Sequence, residues 1–292
     1  MKTILYATDY SENSVSALKY AYGLSLKIDV QLLVIHVFDI PTTLGSGLDE
    51  PFIYIENDYF ELNQNRIEEF VLKNLGENIE KKRIKMEAIE DISVVNGIIS
   101  KAKEIDTFLI VTGMKGKSAI AEILMGNTTK KLIEKAAFPV LAIPENVKTL
   151  KIKTMVYASD FEEEDLNGIQ TMVKIADSFN AKIHVVHFAT KSKSSANERM
   201  EWFKDLLKQK VAYANLEFSV FISQNIYESI QIYSESVNAD IIGMLERTKN
   251  GFVQNIFHRD LVKKMASYGR KPLLSFNEKN FASKADMISM IL

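Results

Sequence analysis

Short apolar runs alternate with amphipathic stretches along most of this chain. In the first half the runs are ILYA, QLLVIHV, TFLIVTG and FPVLAI. Each is near-continuously apolar, as a strand covered on both faces must be. Between the first two runs, Ser11 stands where a helix N-cap is expected, and Val15, Leu18 and Tyr22 fall on one helical face at i, i+3 and i+7. A later helix is written in Thr129, Leu132, Ile133 and Ala136. The second half has IKTMVYA, KIHVVHF, ADIIGML and PLLSF in the same order. Strand and helix patterns in alternation predict βα units on a parallel sheet, with five strands and about four helices in each half.

The two halves are copies of one unit. KTILYATD at 2–9 returns as KTMVYASD at 153–160, and IHVF at 35–38 returns as VHFA at 186–189. Asp9 and Asp160, like His36 and His187, are 151 positions apart, whereas Pro139 and Pro272 are 133 apart. The difference, 151 minus 133, places 18 extra residues in the first copy between its second and third strands. Pro41 to Tyr59, punctuated by Pro and Gly, is the stretch that accounts for them and reads as a long surface loop. The fold class expected is therefore α/β, with two tandem open-sheet domains, each a five-stranded, mainly parallel sheet with flanking helices of the nucleotide-binding, Rossmann-like kind. The domains are expected at 1–146 and 151–277, joined at PENVKTLKI and followed by a C-terminal tail at 278–292.

Charge and composition narrow the function classes. Thirty-six basic and 38 acidic residues leave a net charge of -2, so no global field draws the chain onto nucleic acid or an anionic membrane. The absence of cysteine removes disulfides, thiol catalysis and Cys-type zinc sites. Asp9 arrives too early for a secretory h-region, and no stretch approaches the roughly 18 apolar residues of a membrane span. A cytoplasmic protein is expected. His184 and His187 lie three apart on a strand and point to opposite faces, which argues against a metal pair.

The chemistry concentrates after the fourth strand of the first copy. Gly113, Gly116 and Gly126 form G-x2-G-x9-G, followed by Asn127, Thr128 and Thr129 at the start of a helix. Glycines let backbone amides approach a polyanion with no side chain between, and a helix N-terminus offers unpaired N–H groups and the positive end of the dipole. Threonine hydroxyls can donate to phosphate oxygens, and Lys115 and Lys117 add positive charge. The G-K-S at 116–118 is not a Walker A loop, which requires four residues between its glycines where two are present.

On these residues the chain resembles the universal stress proteins over nearly its full length, to about residue 276. ILYATDYSENSVSAL looks like that family's first strand and helix, and the three glycines look like its ATP motif. The resemblance implies ATP, with Mg2+ on its phosphates, as the cofactor. It further implies Asp9 facing the adenosine half, Ala7 at the family's Pro or Ala position, and the Val37 backbone against adenine. The phosphates then lie on Gly113, Lys115, Gly116, Gly126, Asn127, Thr128 and Thr129. Asn127 departs from the family's usual Ser but keeps a donor and an acceptor.

The second copy differs. A separation of 133 brings Glu246, Lys249 and Arg259 onto the three glycines and Asp260 onto Asn127, so this copy is not expected to hold ATP. It reads as the partner in an intramolecular pseudo-dimer, or as an altered pocket involving Arg247, Lys249, His258 and Arg259. A homodimer of the whole chain is a further expectation. The function expected is an ATP-binding regulator of the stress response. A nucleotide-independent scaffold and a slow ATPase are the alternatives, and no catalytic or metal-ligating residue is assigned.

Overall fold

The computed structural model describes residues 1–40, 52–114, 126–147, 149–190, 192–247, 261–265 and 270–277. The first half runs β1 (Thr3–Ala7), α1 (Glu12–Lys27), β2 (Gln31–Phe38), α2 (Phe52–Leu75), β3 (Ile84–Glu90), α3 (Val94–Glu104), β4 (Thr107–Gly113), α4 (Asn127–Lys135) and β5 (Val140–Ile143). The second runs β6 (Thr154–Ala158), α5 (Asp165–Phe179), β7 (Lys182–Ala189), α6 (Lys193–Lys210), β8 (Leu216–Ile222), α7 (Ile226–Ser236), β9 (Ile241–Glu246) and β10 (Leu273–Asn277). Residues 261–265 are also helical.

The strands form one ten-stranded sheet in the order β3-β2-β1-β4-β5-β10-β9-β6-β7-β8. Every pairing inside a half is parallel. The halves meet through an antiparallel pairing, with Ala142 opposite Leu273 and Val140 opposite Ser275. The two five-stranded sets expected from the sequence are present without interleaving, but they are fused edge to edge. The reason lies in the edges: β5 and β10 are buried along their whole lengths. An apolar edge with unpaired amides is a template for aggregation, and pairing the two removes both. Asn277 secures the seam by donating from its side-chain nitrogen to the carbonyls of Ile133 (3.2 Å) and Glu134 (2.6 Å) in the last turn of α4. Those carbonyls have no partner within their own helix.

Alternate strand residues feed two apolar layers, one on each face of the sheet. Ile4 and Tyr6 join Leu18 and Ile67 in one layer, while Leu5 joins Ile35, Ile98 and Leu132 in the other. Each large side chain so buried contributes about 1.5–3 kcal/mol, which is why the strands had to be apolar on both faces.

Details of the repeat survive in the backbone. Tyr10 and Phe161, 151 positions apart, both take the left-handed conformation (φ 62° and 56°), as do Asp29 and Asn180 (φ 57° and 50°). Two expectations are corrected. Phe52 to Tyr59 is not loop: helix α2 begins directly after Pro51, where Phe52, Ile55 and Tyr59 follow helical spacing and proline is tolerated at a helix start. The register of the fourth strand also differs by one. Ile4 pairs with Leu109 and Met155 with Ile241, a separation of 241 minus 109, or 132. Gly113 therefore corresponds to Leu245, Met114 to Glu246 and Lys115 to Arg247. The separation becomes 133 only at β5, where Val140 and Leu273 occupy equivalent places beside Ile110 and Ile242.

Candidate functional site

The strand order reverses between β1 and β4, and the helices that follow them, α1 and α4, pack on opposite faces of the sheet, the arrangement that sets a ligand crevice at the carboxyl ends of such strands. Ala7 ends β1 and Gly113 ends β4. Asp9 lies just beyond β1, exposed, and its Oδ1 accepts from the Ser11 amide (3.1 Å) and hydroxyl (2.6 Å). Ser11, the expected cap of α1, thus makes no side-chain cap and instead orients the carboxylate.

The turn from β1 into α1 is braced from within. Tyr6 donates its hydroxyl to the Ser14 carbonyl (2.6 Å), Thr8 donates to the Ser14 hydroxyl (3.1 Å), and the Tyr10 amide donates to Thr8 Oγ1 (3.0 Å). His36 donates from Nδ1 to the Thr8 carbonyl at 2.9 Å, a strand-end role. Burial lowers its pKa, so it sits neutral. Tyr10 packs on the His36 ring at 4.3 Å, with the Arg66 guanidinium 4.5 Å from the Tyr10 ring.

Val37 is buried two residues beyond Ile35, whose carbonyl accepts the last rung from β1 at Thr8 (2.9 Å). Alternation along a strand points the Val37 amide and carbonyl to that same side, past the end of β1. The backbone edge facing the crevice is therefore that of Val37. Behind it α3 comes close: a Cβ on Gly97 would lie 2.8 Å from a Val37 methyl.

At the other wall, Gly126 is the N-cap of α4 with no side-chain cap, and Asn127 and Thr128 follow at exposed and half-buried positions. Thr129 is buried. Its hydroxyl donates to the Gly113 carbonyl at 3.2 Å and lies 3.3 Å from that of Thr112. Thr129 therefore fastens the start of α4 to the end of β4 rather than facing the crevice. Gly113 also has a packing reason to be glycine, since a Cβ there would stand 3.1 Å from the Asn13 carbonyl oxygen. The fold thus brings Ala7, Asp9, Val37, Gly113, Gly126, Asn127 and Thr128 to one edge, around one crevice. Lys115 and Gly116 lie outside the described residues.

The equivalent crevice of the second half, between β6 and β9, is built differently. Arg247, beyond the end of β9, pairs through Nε with Asp160 Oδ2 (3.2 Å), through one terminal nitrogen with Glu162, and through the other with Asp165 Oδ2 (3.4 Å). Asp165 also accepts from Tyr157 (3.1 Å), Ser159 (2.8 Å) and the Asp160 amide (3.0 Å). Burial raises its pKa to about 6 against the opposing pull of Arg247. The space left beside these groups is about 30 Å³, enough for one or two waters and far from enough for a nucleotide. Arg247 is thus committed to acids of its own half. Lys249, His258, Arg259 and Asp260 lie outside the described residues. The sequence reading missed Glu162 and Asp165, although the acidic run at 162–165 against Ser11 to Ser14 of the first copy was a legible difference.

Among the described residues no cluster of three or more His, Asp or Glu side chains is arranged to hold a metal ion, and no helix is long and apolar enough to cross a membrane.

The sequence model described as the universal stress protein family matches residues 1–144. A universal stress protein of Methanocaldococcus jannaschii is 32% identical over 157 residues, covering 49% of this chain and 94% of that protein. Among solved structures, a universal stress protein from Archaeoglobus fulgidus aligns with a TM-score of 0.70 at 19% identity, over 94% of this chain and 98% of that one. A putative universal stress protein from Pseudomonas aeruginosa aligns with a TM-score of 0.59 at 12% identity, over 99% and 97%. These two likenesses extend the shared fold across both halves.

Proposed function

We propose that this chain, which belongs to the universal stress protein family, is an ATP-binding regulatory protein of the stress response whose nucleotide is held by the first half alone. The observation that carries the reading is the asymmetry of the two crevices. The first is flanked by an exposed, oriented carboxylate at Asp9, the Val37 backbone edge directed past the end of β1 and an uncapped helix start at Gly126. The second is spanned by Arg247.

In this reading the second oxygen of Asp9 accepts from ribose hydroxyls, and the Val37 amide and carbonyl meet the adenine edge. The amides at Asn127 and Thr128 take phosphate oxygens, favoured by the positive end of the α4 dipole. Lys115 and Gly116 belong to the same loop, and Mg2+ accompanies the triphosphate on its oxygens. The domains are taken as 1–146 and 151–277, the second completing an intramolecular pseudo-dimer, and the chain is taken as cytoplasmic.

The test is calorimetric titration with MgATP against wild type and Gly126→Val. Gly126 has φ -59°, a conformation open to any residue, so the variant folds while its side chain crowds the amides. Affinity at least tenfold weaker with unchanged melting supports the site. Unchanged affinity removes α4 from it. Steady-state phosphate release distinguishes a slow ATPase from a binding protein.

A further inference from the structure

We propose that the Arg247 guanidinium is the resident occupant of the second crevice, holding the carboxyl ends of β6 and β9 together. The inference stands whatever the first crevice binds.

Three positions differ together between the copies. Asp9, Ser11 and Ser14 of the first correspond, at a separation of 151, to Asp160, Glu162 and Asp165 of the second. Carrying the strand separation of 132 onward along the sequence aligns Arg247 with Lys115. Two serines have become acids, and the lysine has become an arginine. Those acids are the ones the arginine meets, each through a different nitrogen. A planar fork with fixed donors can address three carboxylates at once, which an ammonium cannot do with the same geometry.

The place is a prepared one. Asp165, the first residue of α5, is 1% exposed and takes hydrogen bonds from Tyr157, Ser159 and the amides of Asp160 and Glu162 (3.3 Å). A carboxylate buried so completely needs a cation, and without one it is left with an uncompensated charge. Arg247 supplies it from just beyond β9, reaching across the strand reversal to the loop after β6 and the start of α5. Burial opposes charge on the arginine, and the three carboxylates outweigh it and hold it protonated. With the cation seated, the partly exposed Asp160 and Glu162 leave an anionic rim that repels polyphosphates, and the remaining space admits only water. The second half is closed by its own side chain.

The sole tryptophan, Trp202 on α6, makes this testable, because its fluorescence follows unfolding of the second half within the intact chain. Arg247→Ala lowers that midpoint by roughly 6–20 °C, since one partner of a buried ion pair is removed. Millimolar N-ethylguanidinium, which carries the atoms lost beyond Cβ, restores several degrees to Arg247→Ala. It does nothing for wild type or for Arg247→Ala combined with Asp165→Asn, and sodium chloride at equal ionic strength does not substitute for it. An unchanged midpoint in Arg247→Ala, or the same response in wild type or to plain salt, overturns the proposal. Should Arg247→Ala fail to fold, Arg247→Lys replaces it: the midpoint falls by less than the full amount, and a midpoint equal to wild type overturns the proposal.

Discussion

Replacing Gly113 by alanine separates packing from ligand binding at the first crevice. The new Cβ would stand 3.1 Å from the Asn13 carbonyl oxygen, 3.4 Å from Ser14 Cα and 3.5 Å from the Asn13 carbonyl carbon. All three are backbone atoms in the first turn of α1. That turn cannot easily recede, because Ser14 is held by Tyr6 and Thr8 and donates to the Ser11 carbonyl at 2.6 Å. Either α1 or the end of β4 must give by a few tenths of an ångström. Overpacking of this kind costs about 1–3 kcal/mol, which for a unit of this size lowers melting by roughly 3–10 °C. Thermal unfolding by far-ultraviolet circular dichroism, with hydrogen exchange in β1 and β4 to localise the loss, measures it. Trp202 in the second half should report no change. Melting within 1 °C of wild type would refute the reasoning, since the methyl would then have found room against α1 and the glycine would owe its place to the loop alone.

Two further outcomes follow from hydrogen bonds and charge. Thr129→Val removes the donor to the Gly113 carbonyl and costs about 1 kcal/mol. Because that bond sets α4 against β4, nucleotide affinity falls by a larger factor than this loss of stability implies, and titration and denaturant unfolding of one sample compare the two. At Asp165 the folded pKa of about 6 lies above the ordinary 3.8, so between those values the native state keeps a proton that the unfolded chain has released. Stability of the second half therefore falls as pH rises through that window, by on the order of 3 kcal/mol from this group. Asp165→Asn removes that part of the slope in urea titrations read by Trp202, and equal slopes in both proteins would contradict the assignment.

Much of this arrangement was legible because a parallel strand buried on both faces has little choice of residues. The runs from ILYA to PLLSF announced the strands, and the returns of KTILYATD and IHVF announced the repeat. What stayed hidden depends on contacts distant in the chain. Apolar runs slide past one another without a visible mismatch, so alignment through Pro139 and Pro272 concealed a one-residue gap that only the pairing of β4 and β9 with their neighbours reveals. Pro41 to Pro51 disguised the following helical spacing as loop. Thr129 was expected at the phosphates for its residue type, and its place in the first turn of α4 instead turns its hydroxyl to the Gly113 carbonyl. Arg247 resembled a candidate ligand residue. Its three acids lie 82 to 87 positions earlier in the chain, and a sequence lists such partners without showing that they meet. The fusion of the halves was hidden for the same reason: each copy reads as complete, and the burial of β5 and β10 is satisfied only across the seam.

The most direct test of the account is the stoichiometry and location of nucleotide on the intact chain. Calorimetric titration with MgATP should give one site, and hydrogen exchange at saturation should show new protection at residues 7–14, 35–38 and 126–130 with none at 158–165 or 244–247. Two nucleotides per chain, or protection at the second crevice, would mean that Arg247 does not close it. No binding at all would contradict the reading of the first.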